Sequence, residues 1–396
     1  MALPLEVEAE YEPLVAAILG PPSSVQQKDE LLSFLGETEK RLNPRLEYPM
    51  LLAATGVKPL SRSSWRQPSI AEETQQEWDR ANRNMADAGN RFAAGLNVLE
   101  RAYGWSNHLA VRYAQLFRSG HVANYALSAL AVVLALSGLL VPAIKFQLVI
   151  AELFAIGLLF LNTVSGRRGE WHRKWLQYRH LAESLRPLPY LKRTGLGRMP
   201  FRAKVTAAFQ GERGSSLPWS QWYASAIWRQ MPGPSRDLAK EAMSRLASQA
   251  VEDQIKPQAA YHKLTASRMH TLDHRLHALG NALMLVVVGT CLVFLAGYTF
   301  FHEWTVVRTA WFVAVTAGLP AIGAAVFGLR GHGEFQLAAS RSAATAALLD
   351  GHAEHLASTQ TLEALTLELE AVAATMLADL EEWTLAYKDR SLEIPA

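Results

Sequence analysis

Four apolar runs, Val122 to Ile144, Phe146 to Val164, Ala278 to Phe301 and Val307 to Leu329, interrupt a chain that is otherwise mixed in polarity. They come as two close pairs separated by the polar stretch 165–277. Each run holds 19 to 24 residues, a length that, at about 1.5 Å of rise per residue, spans a hydrocarbon core of roughly 30 Å. In lipid every backbone amide must be satisfied within its own segment, and the runs lack the period-2 alternation of a barrel strand, so helices are predicted. A globular core of this size does not need four runs of that length. The pattern predicts an all-α membrane protein with four transmembrane helices, arranged as two hairpins, and with long cytoplasmic helices.

Outside the runs the pattern divides the chain further. Residues 1–69 mix short apolar pieces with Pro21, Pro22, Pro44, Pro49, Pro59 and Pro68, which predicts short helices and loops. From Ile70 to Arg118 the composition is helical, so a long helix is expected to run straight into the first membrane segment. A first unit of helix, hairpin and following helix thus covers 70–186, a linker region 187–260, and a second unit 261–396. Trp219, Trp222, Tyr223, Ile227 and Trp228 share nearly one helical face, which fits either the headgroup layer or a core face of a polar bundle. In the tail Leu362, Leu365, Leu369, Val372, Met376, Leu380, Trp383 and Tyr387 recur at steps of three or four, a helix with a seam to bury.

Charge sharpens this picture. Arg112, Arg118, Arg167, Arg168, Arg173, Lys174, Arg268, Arg275 and Arg330 flank the outer ends of the hairpins, whereas the two turns hold little more than Lys145. The positive-inside bias puts both termini and the 165–277 stretch in the cytoplasm. Met1 to Val15 carries four glutamates and no apolar core, so no signal peptide is read and the first hairpin serves as its own insertion signal. Ser165 to Lys204 holds eleven Lys or Arg against two Glu, a balance suited to anionic lipid headgroups. Without interleaved aromatics it does not suit nucleic acid. Asp350 to Ala396 is opposite in sign, with ten Asp or Glu against two Lys or Arg, and is expected to dock on the basic 167–204 region of its own or a neighbouring copy. The single Cys291 lies in an apolar run and offers no disulfide or cysteine metal site.

The two hairpins also resemble each other. Arg118 and Asn124 enter the first with the spacing of Arg275 and Asn281 at the second, and Gly169-Glu170-Trp171 at one exit answers Gly333-Glu334-Phe335 at the other. Such repetition is a common way to build a symmetric membrane unit. Trp171, His172, Arg173, Lys174, Trp175, Tyr178, Arg179, Ala182, Glu183, Leu185 and Arg186 resemble the helix that follows the membrane hairpin in SLATT-type effectors. Asp253, Gln254, Tyr261, His262, His274, Arg275, Leu276, His277, Gly333, Glu334, Phe335, Ser340, Arg341, Ser342, Glu382 and Trp383 are similar to the membrane region of prokaryotic proteins carrying a TRPM-type SLOG (LSDAT) domain. The resemblance covers about residues 90 to 396. It implies a membrane effector, with pore formation as an expected mode of action, of bacterial stress or anti-phage defence systems that sense nucleotide-derived signals. The SLOG domain of such proteins is an amino-terminal Rossmann-like nucleotide binder. No strand-loop-helix pattern or Gly-rich phosphate loop precedes the first hairpin here, so a separate SLOG-type protein is the implied sensor.

Candidate chemistry is sparse. Glu152 falls inside the second run, where a carboxylate is costly unless paired or hydrated; it either lines a water-filled path or subunit interface, or bonds to Ser128, Ser137 or a tryptophan. Lys145 lies two turns before it and Asn281 just inside the third run. Glu170, Arg179, Glu334 and Arg341 are read as ion pairs fixing hairpins to their polar helices, and His274, Arg275 and His277 as further juxtamembrane gating candidates. His270 and His274 could share a metal, but the remaining ligands a zinc site needs are missing. With no G-x-S-x-G, P-loop, H-E-x-x-H or C-x-x-C, neither an enzyme nor a cofactor is expected. The predicted protein is a multi-pass homo-oligomer of a bacterial inner membrane, perturbing permeability when triggered from the cytoplasm. A non-conducting anchored signalling scaffold is the alternative, and a transporter would require helices broken near Gly297 or Pro320.

Overall fold

The computed structural model of the chain describes residues 25–72, 90–199, 219–231, 233, 239–387 and 392–395, with side chains of 90–97 and 379–387 left aside. Parts of the sequence expectations for 1–24, for the helix from Ile70 and for the basic stretch beyond Met199 lie outside the described residues, as do the side chains of Leu380, Glu382, Trp383 and Tyr387. Among the described residues every element is helical, and the one β-bridge, Leu42 to Arg66, is isolated. Three short helices, α1 (Val25–Leu35), α2 (Glu47–Ala54) and α3 (Arg62–Trp65), precede the 51-residue α4 (Asn90–Leu140). At 1.5 Å per residue α4 is a rod of roughly 75 Å, with a polar half that continues into an apolar one.

A turn at Val141–Ile144, begun by Pro142, returns the chain into α5 (Lys145–Arg168), which packs back along α4. After a corner comes α6 (Trp171–Leu185), which packs on the polar half of the same rod. Then follow α7 (Leu188–Thr194), α8 (Trp219–Gln230) and α9 (Lys240–Ala250), the last joined by a π-turn to the second rod, α10 (Lys256–Phe300). The design recurs: a short α11 (His302–Val307) replaces the first turn, α12 (Thr309–Gly333) returns along the rod, and α13 (Phe335–Ser358) packs on the rod's polar half. The final α14 (Leu362–Tyr387) lies on α13 and on α6 and α7. Both α10 at Gly297 and α12 at Pro320 run on without a break, so the broken helices of a transporter are not seen.

Four helices are long and apolar enough to cross a membrane. Between 6% and 17% of each apolar window is buried, so these helices expose Phe154, Leu161, Leu285, Leu292 and Trp311 where a protein in water would hide them. That exposure, with the length and composition, is consistent with a multi-pass membrane protein. Among the described residues the polar half has two large cores, besides a small cluster of Leu52, Leu272, Leu276 and Phe335. One joins α1, α4, α6 and α8 around Phe34, Tyr103, Tyr178 and Trp219; the other joins α7, α9, α10, α13 and α14 around Leu191, Leu246, Leu349 and Leu369. Trp219, Trp222 and Ile227 are therefore core residues, with Phe34 4.9 Å from the Trp219 ring, and the headgroup alternative for that face is set aside. The tail seam is buried at Leu365, Leu369, Val372 and Met376. Among the described residues, contact with the basic stretch is made by apolar packing, by a bond from the Arg198 amide to Glu370 Oε1, 2.7 Å, and by one from Arg167 Nε to the Leu392 carbonyl, 3.1 Å.

Candidate functional site

Both corners rest on the repeated Gly-Glu-aromatic triplet. Glu170 (φ 50°) and Glu334 (φ 42°) are the only non-glycine residues with positive φ among those described. A left-handed residue stops one helix and redirects the next. The preceding glycine leaves room for the aromatic ring that folds back over it: a Cβ on Gly169 would meet Trp171 Nε1 at 2.6 Å, and one on Gly333 would press on the Phe335 ring. Trp171 and Phe335 thus wedge the two corners identically.

At the first corner a closed polar chain crosses the helix pair. Arg45, from the irregular stretch before α2, donates through Nη1 to Asn162 Oδ1 at 2.6 Å and stacks over Trp171. Asn162 Nδ2 donates to the Gly120 carbonyl (2.9 Å) and to Asn124 Oδ1 (2.6 Å). Asn124 Nδ2 donates in turn to Thr163 Oγ1 and to the Glu393 carbonyl, both at 2.9 Å. Asn124 is wholly buried and Asn162 nearly so. Both hydrogens of each amide are used, which is what burial of an amide demands. Leu392, 3% exposed, seats against Gly120, Gly166 and Trp171, and its carbonyl accepts from Arg167 Nε at 3.1 Å. Two remote parts of the chain, Arg45 and residues 392–395, therefore converge where α4, α5 and α6 meet.

The second corner is built differently. Arg330 grips Asp273 with Nε at 2.6 Å and Nη2 at 3.0 Å, and its Nη1 lies 3.3 Å from His277. His277 continues to Asn281, 3.1 Å away. Between the two units Tyr125 Oη and His332 Nδ1 are 2.6 Å apart, beside a cavity of about 90 Å³ lined by Tyr48, Phe117, Arg118, Trp175 and Phe335. The Arg118 guanidinium lies over both Tyr48 and Trp175.

The residues singled out from sequence are distributed over these regions and beyond. Glu152 is half-buried on the α5 stripe that continues through Ala155 and Leu159 towards α4. Its carboxylate has no hydrogen bond among the described residues, and Ser137 spends its hydroxyl on the Val133 carbonyl. Lys145 is exposed at the first residue of α5, its Cγ against Gly138. Asn281 and His277 are exposed and bonded to each other; His274 is exposed; Arg275 donates to the Thr55 carbonyl. Ion pairs at the first corner are local to the polar body: Glu170 and Glu30 both take Arg173, and Arg179 pairs with Glu183 at 2.6 Å and bonds Asn107. Glu334 supplies the second corner's backbone turn, and Arg341 is half-buried on α13. Burial works to raise the Glu183 carboxyl, but Arg179 and Arg186 outweigh it and hold it below the carboxylate range. Burial lowers His172 and His180 to about 4 each.

Reading by hydropathy and charge missed Arg45, Gly120, Asn162, Thr163, Gly166 and Leu392. Asn162 and Thr163 end an apolar run, and that position was the available signal: polar residues adjoining lipid call for partners. Among the described residues no group of three His, Cys, Asp or Glu is placed to hold a metal. Comparisons with family models, curated proteins and solved structures find no match for the chain.

Proposed function

We propose that this chain is an integral membrane effector of the SLATT-like or SLOG-associated kind, a channel-like homo-oligomer that alters membrane permeability when triggered from the cytoplasm. In this reading α4–α5 and α10–α12 are transmembrane hairpins in a bacterial inner membrane, with both termini and the polar body on the cytoplasmic side. A partner protein of the SLOG type would supply nucleotide sensing in a bacterial stress or anti-phage defence system.

The observation that carries the proposal is the repeated mechanical unit. In each repeat one rod runs from the polar body into the apolar half, and a second helix returns along it to a fixed corner. A displacement of α6 or α13 in the polar body is passed to an apolar helix through a single left-handed residue. Such a rigid coupling suits gating by a cytoplasmic signal. Glu152, half-buried on the stripe towards α4 and without a hydrogen-bonded partner among the described residues, is the carboxylate to face water or a second copy when the assembly opens.

Purified protein in liposomes loaded with a potassium-sensitive dye tests the reading. Flux above that of empty liposomes, together with depolarisation of cells expressing the chain, is the expected result, and Glu152→Gln should change cation flux without changing assembly size. Protein that inserts with both termini on one side yet neither passes ions nor depolarises cells would leave the anchored scaffold as the function.

A further inference from the structure

We infer that the socket formed by Gly120, Gly166, Trp171 and Asn124 is a peptide-binding site whose ligand is the chain's own 392–395 segment, held there as a releasable latch across α4 and α5. The socket is built for an extended, leucine-anchored strand. A Cβ on Gly166 would lie 2.7 Å from Leu392 Cδ2 and one on Gly120 3.1 Å from Leu392 Cδ1, so a side chain at either position would press on the leucine as it is seated. Backbone recognition is separate from side-chain recognition: Asn124 holds the Glu393 carbonyl from α4, and Arg167 holds the Leu392 carbonyl from α5. The segment therefore ties the two helices to each other at the boundary between the apolar and polar halves.

Release is feasible because the contact is small. One buried leucine and two hydrogen bonds anchor the segment, while Glu393 and Ile394 face outward. Departure of the segment leaves Asn124 with an unused amide hydrogen beside Asn162 and Thr163, a polar opening that water can enter where Leu392 had excluded it. On the effector reading above, from which this inference takes its purpose, docking of 392–395 keeps the mouth of the first hairpin shut.

Hydrogen exchange on the full chain in lipid nanodiscs tests the latch without reference to conduction. Leu392→Asp should speed exchange of the amides of 159–166 about ten- to hundredfold, the change expected for losing one buried leucine. Exchange in α13 should stay as it was, and Leu392→Met should behave as wild type. Unchanged exchange at 159–166 would overturn the latch, and so would a general loss of protection, which would make the segment an ordinary part of the fold. A second test joins Leu392→Cys to Gly120→Cys in a Cys291→Ala background. An intramolecular disulfide supports docking; dimers linked between copies, or no link at all, overturn it. Flux then separates the two ideas: the latch predicts higher basal flux for Leu392→Asp if the chain conducts, whereas silence of every variant with the exchange pattern intact would reject conduction and keep the latch.

Discussion

His172 and His180 show how a single buried ring can tie stability to pH. His172 stacks on Phe117 at 4.6 Å, and His180 is 2% exposed inside the α4–α6 core. Both are held to about 4 by burial, whereas the unfolded chain takes up the proton near 6.5. Between those limits the unfolded state binds more protons, so stability rises with pH. It is complete above about 6.5 and falls as pH drops towards 4, by an amount on the order of 1 to 3 kcal/mol for each ring. Melting of the protein in detergent micelles should therefore shift down between pH 7 and pH 4.5, and His172→Phe should flatten part of that slope. An identical slope in the variant would refute the assignment. Neither ring was singled out for this from sequence, because the pattern that marks His172 as part of a basic helix does not show the Phe117 face that desolvates it.

At the scale of elements the corners carry the most information. The Gly-Glu-aromatic triplets were legible as a loose repeat, and both glutamates adopt the left-handed backbone. Their meaning was not legible, since glutamate has no special preference for left-handed backbone and nothing in the string announces φ 50° or 42°. The apolar spans, the continuity of α4 over its described residues and the buried part of the α14 seam were readable because they follow from periodicity, which is local; the division of the tail into α13 and α14 at 359–361 was not. The convergence of Arg45, Asn124, Asn162 and Leu392 was not, because it joins residues far apart in the chain, the bonded pair Asn124 and Glu393 lying 269 positions apart. The left-handed corners make a prediction of their own. A β-branched residue tolerates φ > 0 poorly, so Glu170→Val or Glu334→Val should cost about 1 to 3 kcal/mol, whereas Glu170→Gly or Glu334→Gly should stay within about 1 kcal/mol of wild type. Thermal melts of the four variants decide this. Equal losses for valine and glycine would mean that the side-chain contacts of the glutamates, and not their backbone, fix the corners.

For the whole molecule the question is how two similar units become one body. They touch chiefly along α4 and α12 in the apolar half, where two glycines of α12 let the helices close. A Cβ on Gly318 would be 3.3 Å from Leu136, and one on Gly328 would be 2.4 Å from the Tyr125 ring. In lipid, where apolar side chains gain nothing from meeting each other rather than acyl chains, close backbone approach and hydrogen bonding drive association. Gly328 supplies the first, and the 2.6 Å contact of Tyr125 Oη with His332 supplies the second one helical turn away. Overpacking of a tight contact costs more than loss of one hydrogen bond, typically about 1 to 3 kcal/mol against roughly 1 kcal/mol. Gly328→Leu should therefore separate the units, lowering the melting temperature and lengthening the distance between spin labels on α4 and α12, while Tyr125→Phe lowers the melting temperature less and leaves the distance unchanged. The order of the two effects is the critical result. If Tyr125→Phe splayed the units and Gly328→Leu did not, the hydrogen bond and not the glycine would be the clasp.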